Sequence, residues 1–181
     1  MITITIPESN WFDEKNSEFV SVKETTVNME FSLISVSKWE MHYLKPYLKE
    51  KKPTLEEQLY LFYCMVINPG NIDPRIFYAI TEKDFIRVHE YINHPMSATK
   101  IQNHKKEKAG SKEMTSEEIY CAMSMLHIPY ECQKWHLNRL LKLIEVCAIR
   151  NAPPEKMSKK DMAAEWKRTN ARNRAKFKSK G

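Results

Sequence analysis

The stretch Tyr130–Arg150, YECQKWHLNRLLKLIEVCAIR, constrains the fold more than any other. Leu137, Leu140, Leu141, Ile144, Cys147 and Ala148 recur three and four residues apart, while Lys134, Asn138, Lys142 and Glu145 fall on another face. The period predicts one amphipathic helix, restricted at its start by Pro129 and stopped by Asn151 with Pro153 and Pro154 behind it. Its apolar stripe has to be covered, either by the chain's own core or by another chain. Periodicity alone does not choose between these.

A length of 181 residues suits one domain with appendages and is enough to bury a core without disulfide staples. Cys64, Cys121, Cys132 and Cys147 are widely spaced on expected helices among apolar neighbours, the pattern of reduced, buried thiols. No apolar run approaches the roughly 20 residues a bilayer demands, and the opening MITITIP lacks the regions of a signal peptide, so the expectation is a soluble, intracellular protein. The net charge of +6 is unevenly placed. From Arg150 onward there are 11 basic and 3 acidic side chains, a balance of +8, whereas the preceding 149 residues hold 18 basic and 20 acidic ones. Three glycines in the whole chain exclude glycine-rich phosphate loops and an all-β design built on tight turns.

Ile2, Ile4 and Ile6 alternate with Thr3 and Thr5, a strand signal ended by Pro7. After a polar turn around Asp13 to Ser17, Phe19, Val20 and Val22 resume strand composition, and Thr25, Thr26 and Val27 lead into a third extended piece. So small a sheet has to lie on helices. Helix punctuation follows: Ser37 with Glu40, Thr54 with Glu57, Thr115 with Glu118 and Ser158 with Asp161 share the spacing of a capping box, and Thr81 with Asp84 is a shorter-armed version. These predict helices over Lys38–Lys45, Leu55–Ile67, around Phe85–Ile92 and over Glu117–Leu126, with a turn at Arg75–Ala79 capped by Asp73 and Pro74. Lys100–Lys112 reads as an exposed, mobile lysine-rich loop, with a lysine-rich hairpin as the alternative. Lys159–Lys178 reads as a fraying helix with Met162, Ala163 and Trp166 as a weak apolar stripe. The fold class expected is therefore α+β, mainly α: a small N-terminal antiparallel β-sheet packed on a helical bundle, with a basic C-terminal tail. The boundaries fall at 1–36, 37–151 and 152–181.

Chemistry-bearing patterns are sparse. Cys132 and His136 share a face if the segment is helical, but they make half a metal site, with no CxxC, HxxxH or HExxH partner. Cys132, His136 and Asn138 on one short stretch cannot surround a carbonyl. The pairs Glu56 with Glu57 and Glu117 with Glu118 sit in first helical turns, where negative charge meets the helix dipole. No catalytic, cofactor-binding or metal-ligating residue is assigned, and the chain is read as no enzyme.

What remains is recognition. Ten methionines, among them Met114, Met123 and Met125, and the aromatics Trp39, Tyr43, Tyr47, Tyr60, Phe62 and Tyr63 supply either a core or an apolar surface able to repack around different shapes. Leu59–Ile67 is apolar nearly all round, so it is a buried centre or needs another chain to cover it. In the tail, basic residues interleaved with Trp166 and Phe177 are a composition that neutralises phosphates and stacks on bases.

The strings FSLISVSKWE (Phe31–Glu40) and IPYECQKWHLNRLLKLIEVC (Ile128–Cys147), with an IDP turn, NHPM and a basic end behind APPEKMSKKD, resemble a tailed-bacteriophage family of tail assembly chaperones nearly end to end. The resemblance implies binding without catalysis. Such chaperones coat the long helical tape-measure protein, keep it soluble in the host cell cytoplasm and help recruit tail-tube protein until polymerisation displaces them. His42 and Tyr43 depart from the more basic, tryptophan-bearing run of the family. The candidate partner-binding set is Trp39, Tyr43, Trp135, Leu137, Arg139, Trp166, Arg168, Arg172 and Arg174. Alternatives are a structural neck or tail component of the virion, and a nucleic-acid-binding protein acting through the basic tail.

Overall fold

A computed structural model describes residues 1–14, 16–100, 114–152 and 159–178. The fold is α+β and mainly helical, with the strands gathered at the N-terminus. The chain divides into two compact units, Met1–Arg150 and Asn151–Gly181. Apart from Lys100, the expected lysine-rich loop lies outside the described residues, as does the expected cap Ser158.

Among the described residues four strands occur where three were expected: β1 (Ile2–Ile6), β2 (Ser9–Asp13), β3 (Glu18–Val22) and β4 (Thr25–Met29). β1 pairs antiparallel with β4 and β2 with β3. Ile6 faces Thr25 and Ser9 faces Val22, so the two ladders keep a common register and form one long hairpin, interrupted at Pro7–Glu8 and Lys23–Glu24. Proline has no N–H to give a ladder, which accounts for the break. Across it the buried face changes parity on both strands. Ile4 and Ile6 are buried on β1 and Trp11 faces inward on β2, while Val20 and Val22 are buried on β3 and Val27 and Met29 on β4. The interruption therefore keeps both halves facing the same core. β2 escapes a composition search because SNWFD carries one inward hydrophobe, Trp11.

Beyond the hairpin tip, Arg75 ties the outer half to the helical part. Its guanidinium bonds Asp73 at 2.6 Å, pairs with Glu18 and reaches Asp13 at 3.4 Å.

α1 runs Leu33–Tyr43, starting a turn before the expected Lys38. Its cap is Ser32, whose hydroxyl accepts from Ser35 N–H while Ser35 Oγ accepts from Ser32 N–H, so the Ser37 and Glu40 pair is not a helix start. The helix stops at Leu44, left-handed at φ 54°, just ahead of Pro46. Glu40 instead turns inward from the last turn of α1. Buried, it accepts from Tyr47 N–H at 2.9 Å and from Ser116 N–H at 2.7 Å.

α2 (Leu55–Met65) carries the expected Thr54 and Glu57 capping box. Leu59, Leu61, Phe62, Cys64 and Met65 are buried, so this segment is a buried centre of the protein. Gly70, at φ 55°, takes the left-handed position in the turn that follows. The Asp73-capped turn Pro74–Ala79 and α3 (Glu82–Asn93), capped by Thr81, match expectation, as does α4 (Ser116–Met125), capped by Thr115.

Tyr130–Arg150 is not one helix. Tyr130–Lys134 is a 3-10 turn, Trp135 is extended, and α5 begins only at Leu137 and runs to Asn151. The backbone at the break is engaged elsewhere: Ser32 and His136 form an antiparallel bridge, and Leu137 N–H donates to Phe31 O at 2.7 Å. A continuous helix would forfeit these bonds. α5 buries only Leu137 and Leu140, so it is not the hub that its period implies.

In the second unit, α6 (Lys159–Phe177) is helical, with its residues from Met162 onward exposed.

Replacing Glu40 with alanine leaves the buried Ser116 N–H and the part-buried Tyr47 N–H without their acceptor. Glu40→Ala is expected to lower unfolding free energy by about 2–4 kcal/mol, with Glu40→Gln milder, as measured by chemical denaturation.

Candidate functional site

α4 and α5 leave a groove of about 280 Å³. On α4 its lining follows i, i+3, i+4, i+7 spacing, with Glu118, Cys121, Ala122 and Met125 on one face, while α5 offers Leu141 and Ile144. Met114 also lines it, and buried Ile119 lies at the floor. Met114 is 50% and Met125 75% exposed, whereas Met123 is fully buried. Met123 and Met125 are two residues apart, about 200° around a helix, so one belongs to the core and the other to the surface. Leu141, Leu143, Ile144 and Cys147 are half-buried against the core, so the apolar stripe of α5 is fully covered only at its first turn.

A second apolar surface lies along α1 and α2. The imidazole of His42 stacks on Tyr60 with centroids 4.1 Å apart, and Tyr43 and Tyr63 pack around them. Burial, with Glu56 and Glu57 nearby, pushes the Tyr43 hydroxyl up to about 12. At the hairpin tip Phe12 and Phe19 form an exposed edge-to-face pair at 5.1 Å.

Within the first unit the candidate partner-binding residues do not share one surface. Trp39 and Leu137 are fully buried, which removes both from any exposed set: Trp39 is wedged against Tyr43 and Tyr47, with its indole N–H on Glu57 O at 2.9 Å. Their apolar bulk, placed at core-facing positions, makes them packing residues. Tyr43 and Trp135 are half-buried, and the Arg139 guanidinium lies 4.2 Å from the centre of the Trp135 ring. Trp166, Arg168, Arg172 and Arg174 are exposed on α6. The groove residues Cys121, Ala122, Leu141 and Ile144 do not belong to the candidate set. Their signal in the sequence is the spacing on α4 beside an α5 stripe wider than one core contact needs.

Cys132 and His136 do not share a helical face. Cys132 is buried in the 3-10 turn, and His136 lies beyond the extended residue, capping α5. Asn138 N–H donates to His136 Nδ1 at 3.3 Å, so Nδ1 is unprotonated and Nε2–H donates to Tyr91 O at 3.0 Å. Asn138 Nδ2 in turn donates to Ile92 O and His94 O, satisfying carbonyls at the end of α3. Burial lowers the His136 pKa, opposed by the bond to Tyr91 O and by Glu30 and aided by the amino terminus and His94. Among the described residues no three His, Cys, Asp or Glu side chains converge as metal ligands, and no helix is long and apolar enough to cross a membrane.

All four cysteines are free. Cys121 is exposed and Cys147 half-buried, so only Cys64 and Cys132 are the buried thiols expected of all four. Burial pushes the Cys64 thiol up to about 12. No family model, curated protein or solved structure matches the chain.

Two measurements check this geometry. In native protein a thiol reagent such as DTNB is expected to modify Cys121 quickly and Cys64 and Cys132 only on unfolding. Because the folded-state pKa of His136 is lowered, the unfolded chain takes up its proton first, and stability falls as pH drops from about 7 to 5. His136→Asn, which keeps a cap but cannot titrate there, is expected to flatten that fall in part, since burial also lowers the pKa of His89.

Proposed function

We propose that the protein is a non-catalytic tail assembly chaperone of a tailed bacteriophage, which holds helical segments of the tape-measure protein soluble in the host cytoplasm. The observation that carries the reading is the open α4–α5 groove, with Met114 and Met125 exposed above an apolar floor. A helix laid along it inserts apolar anchors three, four and seven residues apart, the usual helix-in-groove mode. Each apolar side chain fully covered this way contributes roughly 1.5–3 kcal/mol before ordering costs.

Methionine suits such a task. Its unbranched, polarizable chain repacks against anchors of different shape, as required of a site that accepts successive, non-identical stretches of one long helix. Weak contacts that repack also release the helix when tail-tube protein polymerises along it. The resemblance in the SKWE and WHLNRL segments supports the same role and supplies the identity of the partner.

Co-expression with the neighbouring tape-measure protein tests the reading. The wild-type chain is expected to raise the soluble fraction of tape-measure protein severalfold and to co-purify with it. Met125→Glu with Met114→Glu is expected to lose both effects while keeping stability within about 0.5 kcal/mol, since both side chains are exposed. A tape-measure protein equally soluble with and without the chain, or equally held by the variant, contradicts it.

A further inference from the structure

We propose that α6 is a binding site for single-stranded nucleic acid, a function separate from the groove and not resting on the chaperone reading. At 100° per residue, Met162, Trp166, Asn170, Asn173 and Phe177 fall within an arc of roughly 80° along the helix. Trp166 is 72% and Phe177 69% exposed. Lys167 and Arg174 flank one side of this arc, and Arg172 and Lys176 flank the other, where the acidic Glu165 also lies. Between Lys159 and Lys178 there are 8 basic and 2 acidic side chains.

The bland account is a solvated helix whose basic last turn complements its dipole. That covers Arg174 and Lys176. It leaves unexplained two large aromatic rings held in water on one line, with cations on both sides of it. Burying the stripe in an apolar protein groove is disfavoured by its middle: Asn170 and Asn173 lie between Trp166 and Phe177, and each amide would lose water without a partner. A strand of unpaired bases meets every requirement. Its flat faces stack on Trp166 and Phe177, about 16 Å apart along the axis, and its base edges offer donors and acceptors to the two amides. Its phosphates meet the flanking cations, and Arg168, Arg172 and Lys176 follow one row at about 6 Å steps. A duplex keeps its base faces stacked inside and offers the rings nothing.

The test uses the full chain and a fluorescein-labelled oligonucleotide of mixed sequence, as single-stranded RNA, single-stranded DNA and duplex, followed by fluorescence anisotropy over rising salt. Single strands are expected to bind with affinity falling linearly on a log–log plot against salt, and the tighter single-stranded arm identifies the sugar. Trp166→Ala with Phe177→Ala is expected to weaken binding on the order of tenfold or more. Arg168→Gln with Arg172→Gln is expected to lower the salt slope by about 0.7 for each phosphate that is no longer neutralised. Circular dichroism and the melting transition confirm that helix content and the first unit are unchanged. The proposal is overturned by no binding on any arm, by full affinity in the aromatic double variant, by a duplex that binds as well as the single strands, or by polyglutamate competing as well as the oligonucleotide, which would assign α6 to acidic protein surfaces.

Discussion

The backbone of Asn28–Ser32 is the constraint on which the first unit depends. Asn28 and Met29 complete the ladder with β1, while Glu30 N–H donates to Met65 O and Ile67 N–H donates to Asn28 O, both at 2.8 Å. Phe31 O then takes Leu137 N–H, and Ser32 bridges His136 and caps α1. Five residues thus satisfy the hairpin, the exit of α2, the entry of α5 and the start of α1. Met29, Phe31 and Leu33 alternate into the core from the same stretch. Buried N–H and C=O groups have to be paired, so this segment decides where the surrounding elements begin and end.

The position of the groove follows from that constraint. α5 is held by its first residues, through Leu137 on Phe31 and Asn138 on the end of α3, and the apolar stripe of its later turns packs on the core only in part. α4 is fixed from the other direction, by the buried carboxylate of Glu40 on Ser116 N–H. Two helices anchored at their N-terminal ends, one by α1 and one by the hairpin strap, leave an apolar channel between their facing turns.

Much of this was legible in the chain. The Thr54 and Glu57 box, the caps Thr81 and Thr115, the Asp73 turn and the alternation of Ile2, Ile4 and Ile6 are local signals, with the groups that satisfy them a few residues away. The failures share the opposite cause. The break in Tyr130–Arg150 arises from a partner about a hundred residues earlier, which no local period encodes. Glu40 has the spacing of a capping partner to Ser37 but bonds to the start of a helix far along the chain. β2 goes unseen because its inward face is mostly one tryptophan and its pairing is dictated by β3. Of the candidate site, the methionine-rich character of α4 was visible, while the pairing of Met125 with Leu141 and Ile144 needed the two helices placed side by side.

The central functional claim is that a helix from another polypeptide lies in the α4–α5 groove, and the methionine methyl groups report on it directly. In a methyl NMR titration of the full chain with a soluble tape-measure fragment, the signals of Met114 and Met125 are predicted to shift or broaden while those of buried Met29, Met65 and Met123 stay largely in place. Perturbation confined to Met41 or Met162, or none at a fragment concentration that gives a complex, would contradict the account.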